Sequence, residues 1–250
     1  VGIWRNAVLA AAASLAAAAG VTSPARASGD APPALRDAVA TLAAERHGVV
    51  AFARHYVYDQ RAPAHNKSIV ADSARMRRDG TIVAAKLYRQ TVDGTASAPD
   101  EIAKEQAELN KELPDEDYTL PLTAAALGDY EFGSPSACAG CDDGVVSVSF
   151  TSRKRDDDHG DGTAFVDEKN HRFVRLEFVP SVTPKGADSG NVTITFGRAL
   201  SNLWDIVSEK QRYTGHLLFI HGSADVTVTN RNYRRFDSLE QARAAVDAGL

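Results

Sequence analysis

Two cysteines and a run of carboxylates are the residues whose spacing suggests chemistry. Cys138 and Cys141 form a Cys-x-x-Cys pair. Such a pair can be a redox centre, half of a zinc site or a local disulfide. A redox pair needs its first thiol at a helix N-terminus, where the helix dipole lowers the thiol pKa. Here Asp142, Asp143 and Gly144 follow, then a strand pattern. Neighbouring carboxylates raise a thiol pKa, so redox reactivity is disfavoured. Zinc needs two further ligands, and the chain has no second Cys-x-x-Cys and no His-x-x-x-His; His159 and His171 are the residues folding would have to recruit. The expected reading is a structural disulfide pinning the entrance to a strand.

A second pattern opens at Asp157. Counting from it, the third, fifth, sixth and twelfth places are His159, Asp161, Gly162 and Glu168, which approaches a calcium-binding EF-hand loop. Position three is a poor ligand, and both flanks alternate as strands where an EF-hand has helices. The segment therefore reads as a strand connection, with Gly160 and Gly162 supplying unusual dihedrals. Asp157, Asp161 and Glu168 remain the only calcium candidates. The histidines show no helical metal-ligand spacing, and Gly-x-Ser-x-Gly and phosphate-cradling glycine loops are both absent. No catalytic residue, metal or cofactor is expected.

The elements that must position these residues are mostly strands. Residues 49–58, 69–77, 81–90, 146–150, 174–178, 192–196, 217–220 and 226–229 read as strands; 146–150, 174–178, 192–196 and 226–229 alternate apolar with polar side chains, the period of a strand with one buried face, while 49–58 and 217–220 carry apolar groups on both faces. Asp79-Gly80 signals a primed hairpin turn between the second and third, and Arg75, Arg77 and Arg78 read as that hairpin's solvated end. Helical patterns cover 34–45, 99–113 and 239–248, with a short apolar turn or helix at 120–127. The last helix opens on the capping pair Ser238 and Gln241, with Leu239, Ala242 and Val246 inward. Few short helices and many antiparallel strands make an α+β fold that is mainly β: an incomplete, half-open β-barrel whose helices plug or cover its concave face. The residues expected to line that face are Phe52, Arg54, Tyr56, Tyr58, Val148, Phe150, Leu176, Phe178, Ile194 and Phe196. An apolar concavity suits an acyl chain; the same faces could equally form a filled core.

With 250 residues, of which 44% are hydrophobic and 24% charged, the chain can bury a sizeable core. Arg5, an alanine-rich apolar run over 7–19 and Ala25-Arg26-Ala27 read as a cleaved export signal ending at Ala27. Residues 28–33 read as a linker and 34–250 as one domain, with 94–128 a helical or loop insertion. The product would be periplasmic or secreted, an oxidising setting that suits a disulfide. The net charge of −5 argues against nucleic acid as a partner.

The stretch 162–167 (GTAFVD), a polar turn and the returning strand 171–178 (HRFVRLEF) resemble a hairpin of the periplasmic lipoprotein carriers and outer-membrane lipoprotein-sorting proteins, the LolA-like superfamily. The leading helix before a long two-faced strand is similar too, as are 213–219 (YTGHLLF) and 232–236 (NYRRF), which look like closing strands. The resemblance covers roughly residues 33–236. It implies an open half-barrel of about eleven strands with helices in its mouth. It also implies binding of a lipid, an acylated protein or another amphiphile, or of an envelope membrane protein in regulatory relatives. Arg54 is the candidate for a carrier's functional arginine. The segment between Asp93 and Gly128 is longer and more acidic than the family pattern, and the cysteine pair and aspartate-rich loop are additions to it.

Overall fold

The computed structural model describes residues 30–250 apart from 64, 112, 114, 117–119, 185, 218 and 219. The expected export signal lies outside the described residues. The long strands are β1 (Val49–Arg61), β2 (Lys67–Arg78), β3 (Thr81–Val92), β8 (Val145–Ser152), β9 (Gly160–Asp167), β10 (Arg172–Pro180), β11 (Ser189–Leu200), β12 (Leu203–Leu217) and β13 (Ile220–Phe236). Short strands are β4 (Thr95–Ala96), β5 (Asp115–Glu116), β6 (Tyr130–Phe132) and β7 (Ser136–Ala137). Helices are α1 (Pro33–Glu45), α2 (Pro99–Lys111) and α3 (Leu239–Ala248). The 120–127 segment is a turn leading into a 3-10 turn at Leu127–Asp129.

The thirteen strands among the described residues belong to one antiparallel sheet ordered β4-β3-β2-β1-β13-β12-β11-β10-β9-β8-β6, with β5 on β3 and β7 on β8. The first and last long strands pair at its centre, from Val49 opposite Phe236 to Arg61 opposite Ser223. The outermost strands, β4 and β6, do not meet, so the barrel is open. Asp79 and Gly80 both take positive φ, 51° and 91°, as a primed turn between twisted strands requires.

Helices cover both faces. On the inner face α1 places Leu35, Ala38, Val39 and Leu42, one helical stripe, into a core with residues of β6 and β8–β12. On the outer face Ala242 and Val246 of α3 pack on Ala51, Ala74, Met76 and Ala84. Ser238 caps α3, accepting from Gln241 N at 3.2 Å, but Leu239 is 37% exposed rather than inward. At the first position of the helix it projects beyond the stripe that Ala242 and Val246 make.

Two further expectations are overturned. Arg77 is not at a solvated hairpin end but fully buried: it lies opposite Val50 of β1 and so shares the inner face with it, where it meets an aspartate of β12. Gly160 and Gly162 do not carry unusual dihedrals. A Cβ on Gly162 would lie 2.0 Å from Glu177 O, and one on Gly160 2.6 Å from Val179 O. Close approach to β10 is what requires glycine at both positions.

Candidate ligand-binding face

Because directly paired residues of antiparallel strands share a face, register places the expected lining. Phe150, Val148, Leu176, Phe178 and Ile194 line up across β8 to β11, and Phe196 shares a core with them. Phe52, Arg54, Tyr56 and Tyr58 alternate along β1, opposite to Ala51, which faces α3. All ten lie on the inner face; all are buried except Tyr56, which is half-buried. They divide into two unlike halves.

The half built by β8–β12 is apolar and filled. Phe173 and Phe196 stack with ring centroids 5.4 Å apart, and Leu35, Ala38, Val39 and Leu42 of α1 occupy the concavity above. The apolar groups there meet the chain's own helix, with Leu120 and Leu122 extending the same cluster.

The other half, on β1, β2, β12 and β13, carries polar and aromatic groups. Arg54 Nε donates to Asn230 Oδ1 at 3.1 Å and its guanidinium lies 5.6 Å from the Phe52 ring centroid. Phe52 in turn stacks on Tyr233 at 4.9 Å, and Tyr233 OH donates to Ile206 O at 2.6 Å. Towards the opposite end of the strands, Tyr58 OH donates to Gln60 Oε1 at 3.1 Å and Tyr213 OH to Gln211 Oε1 at 3.0 Å. Gln211 Nε2 donates to Glu209. Burial and the Glu209 carboxylate push the Tyr213 phenol up to about 12. Burial, Tyr58 and Glu209 push Tyr56 higher still. These phenols stay neutral hydrogen-bonding groups at any physiological pH.

Charged groups clamp the C-terminal end of α1 over the junction of the halves. Asp205 Oδ1 accepts from Arg46 Nε and Nη2 at 3.2 and 3.1 Å, while Oδ2 accepts from Arg77. Burial alone would raise the Asp205 pKa, but the two guanidiniums and the Ile206 amide outweigh it and hold the carboxyl below the usual range. Glu45 pairs with Arg172 and accepts Trp204 N at 3.0 Å. Arg235 donates to Glu45 O and His47 O at 2.7 and 3.0 Å, satisfying carbonyls at the helix end. The opposite end of α1 has Arg36 on Ala31 O at 2.6 Å and an exposed His171–Asp37 pair at 3.6 Å. Sequence reading missed Glu45, Arg46, Arg77, Arg172 and Asp205. One signal was present: Asp205 sits inside an apolar strand segment between Trp204 and Ile206.

The other candidate sites separate. The sulfurs of Cys138 and Cys141 lie at bonding distance, with their Cα atoms 5.5 Å apart, at the turn that brings β7 onto β8. Asp157, Asp161 and Glu168 do not converge. Residues 160–167 form β9, so Asp161 and Glu168 stand near opposite ends of a strand rising about 3.3 Å per residue. Asp161 instead accepts Ser152 N at 2.7 Å, and His159 is held between Asp156 and Asp129. Among the described residues no group of three or more His, Cys, Asp or Glu side chains could hold a metal ion.

No protein-family model matches the chain, and no curated protein matches it in sequence. Solved structures give fold-level likenesses. One is an outer-membrane lipoprotein-sorting protein domain from Vibrio parahaemolyticus, 10% identical over 86% of this chain and 96% of that one, TM-score 0.40. A LolA superfamily protein from Nitrosomonas europaea is 10% identical over 83% and 96%, TM-score 0.38. A DUF1329 family protein from Desulfovibrio piger is 11% identical over 87% and 98%, TM-score 0.38. At such identities and scores the likeness carries no argument about function.

Proposed function

We propose that this protein binds an amphiphile, a lipid or an acylated segment, on the inner face of its half-open sheet, and does so as an exported protein. The observation that supports this is the division of that face. The apolar half is occupied by the Leu35, Ala38, Val39 and Leu42 stripe of a single short helix, which an acyl chain can replace contact for contact. The tyrosine, glutamine and arginine half beside it suits a polar head. The charged clamp at Glu45 and Arg46 fixes one end of α1, so its other end is the one that would lift. Burial of acyl surface at about 25 cal/mol per Å² would repay the loss of the α1 contacts.

Organic extraction of the native protein with mass spectrometry, and titration with a fluorescent long-chain fatty acid, test the reading. Co-purified amphiphile or saturable probe binding is expected. Folded protein that carries none and leaves the probe unshifted overturns it and leaves α1 as a permanent part of the core.

A further inference from the structure

The outer edge of β3 is closed in an unusual way. β5 pairs with it at Thr81 and Ile82 and β4 at Thr91 and Val92. Between those two short pairings the edge is met by one side chain of α2. Gln106 Nε2 donates to Ala85 O at 3.0 Å, and Gln106 Oε1 accepts from Leu87 N at 2.7 Å. One carbonyl and one amide two residues apart are what a neighbouring strand would engage. The Gln106 amide therefore stands in for a missing strand, a device that keeps an exposed edge from pairing indiscriminately.

Beside this amide lies a groove of about 570 Å³ between β3, α2 and α3, with Val83, Leu87, Ile102, Ala103 and Val246 among its apolar walls. The helix that forms one wall is loosely seated, since Leu109 is its single buried residue. The groove also borders Lys86, Arg243 and Asp247, two cations against one carboxylate on a chain of net charge −5. Lys86 Nζ donates to the Asp247 carbonyl at 2.9 Å. Arg243 is exposed and has no hydrogen-bond or ion-pair partner among the described residues.

We propose that this edge is a docking site for an extended peptide segment of a protein partner, which adds to β3 as a strand. Its alternate apolar side chains enter the groove and an acidic residue meets Arg243 and Lys86. Strand addition of this kind takes affinity from main-chain hydrogen bonds and specificity from pockets for every second side chain. Entry requires α2, which lies directly against β3, to swing off the edge and carry the Gln106 amide with it. Backbone groups of the peptide then replace its two bonds to Ala85 and Leu87, so no buried edge group is left unsatisfied. The site lies on the edge and outer side of the sheet, apart from the inner face, and its test is independent of amphiphile binding.

The probe is a fluorescein-labelled octapeptide of alternating valine and threonine with two glutamates, followed by fluorescence anisotropy against the full protein. A control peptide of the same sequence carries N-methyl groups on alternate amides and cannot pair with an edge. Saturable binding of the first peptide and loss of binding by the second are expected. Gln106→Ala should tighten binding about threefold to tenfold, the scale of one net hydrogen bond no longer competing. Arg243→Glu, an exposed change that leaves the fold alone, should weaken it by a similar factor. Equal binding of the two peptides, indifference to Arg243→Glu, or no binding even to Gln106→Ala overturns the proposal.

Discussion

Arg77 on β2 and Asp205 on β12 form an ion pair in which both side chains are 0% exposed, although the two residues are 128 positions apart. Arg46, which follows the last residue of α1, shares the same carboxylate. One aspartate thus joins the plug helix to two strands on different sides of the central β1–β13 pairing. Desolvating these groups is costly, and complementary pairing is what offsets it. The cluster fixes where α1 sits more than it adds to stability.

Asp205→Asn should be among the most destabilising isosteric changes in the chain, costing about 3–5 kcal/mol, because it removes the negative charge that two buried guanidiniums share. Arg77→Met leaves Asp205 with Arg46 and should cost less. Urea denaturation of the three proteins checks the order; equal stabilities would mean the cluster is solvated in solution.

The same residue sets an acid limit. Its folded pKa lies below its unfolded value, which is about 3.9. Its stabilisation is therefore complete above that pH and lost as pH falls through the lower folded value. The stability gap between wild type and Asp205→Asn should be constant from neutral pH down to about 4 and close only below it. A gap that closes near pH 6 would point to a histidine instead.

Leu42→Ala in α1 removes a buried side chain and should cost about 2–5 kcal/mol by denaturation. If an amphiphile replaces α1, the same variant should bind the fatty-acid probe more tightly, because the displaced helix gives up less. Weaker probe binding would make Leu42 a ligand contact and α1 a fixed wall.

Gly162→Ala should destabilise by about 1–3 kcal/mol, the scale of overpacking a filled site. The new methyl would meet the Glu177 carbonyl and Phe178. Gly80→Ala has open space for the methyl but a φ of 91°, so its cost, about 1 kcal/mol, comes from the backbone alone. Denaturation midpoints separate the two mechanisms.

Thiol titration of denatured, unreduced protein should find no free thiol at Cys138 and Cys141. Reduction should lower stability by about 2 kcal/mol at most, because the loop it closes is so short. A much larger loss would mean the pair organises β8 as well as its entrance.

Local chemistry was legible in the chain: period-2 alternation placed the long strands, Asp79-Gly80 placed a hairpin, and Ser238 with Gln241 placed the start of α3. The same alternation assigned side chains to faces, because a strand's period is fixed by its backbone. The calcium-like spacing failed for a related reason. Residues that a loop would gather around an ion are spread along β9 once the segment is extended, and the aspartates there take amides and a histidine as partners. Gly160 and Gly162 were recognisable as special, but the carbonyls that crowd them belong to a strand whose approach no local rule predicts.

The Cys138 to Glu168 region, which carried every chemical motif in the sequence, contributes a turn, two strands and part of an apolar wall. What occupies that wall was decided only by tertiary structure. A stripe of Leu35, Ala38, Val39 and Leu42 announces an amphipathic helix but not its partner, since hydrophobic burial is non-directional. Direction came from charges distant in sequence, Arg46 and Arg77 on Asp205 and Glu45 on Arg172, which meet at the C-terminal end of α1. Periodicity determined a many-stranded antiparallel sheet with a few short helices; tertiary structure left its outermost strands apart, and buried ion pairs, strongly dependent on position and partner, decided where its helix lies.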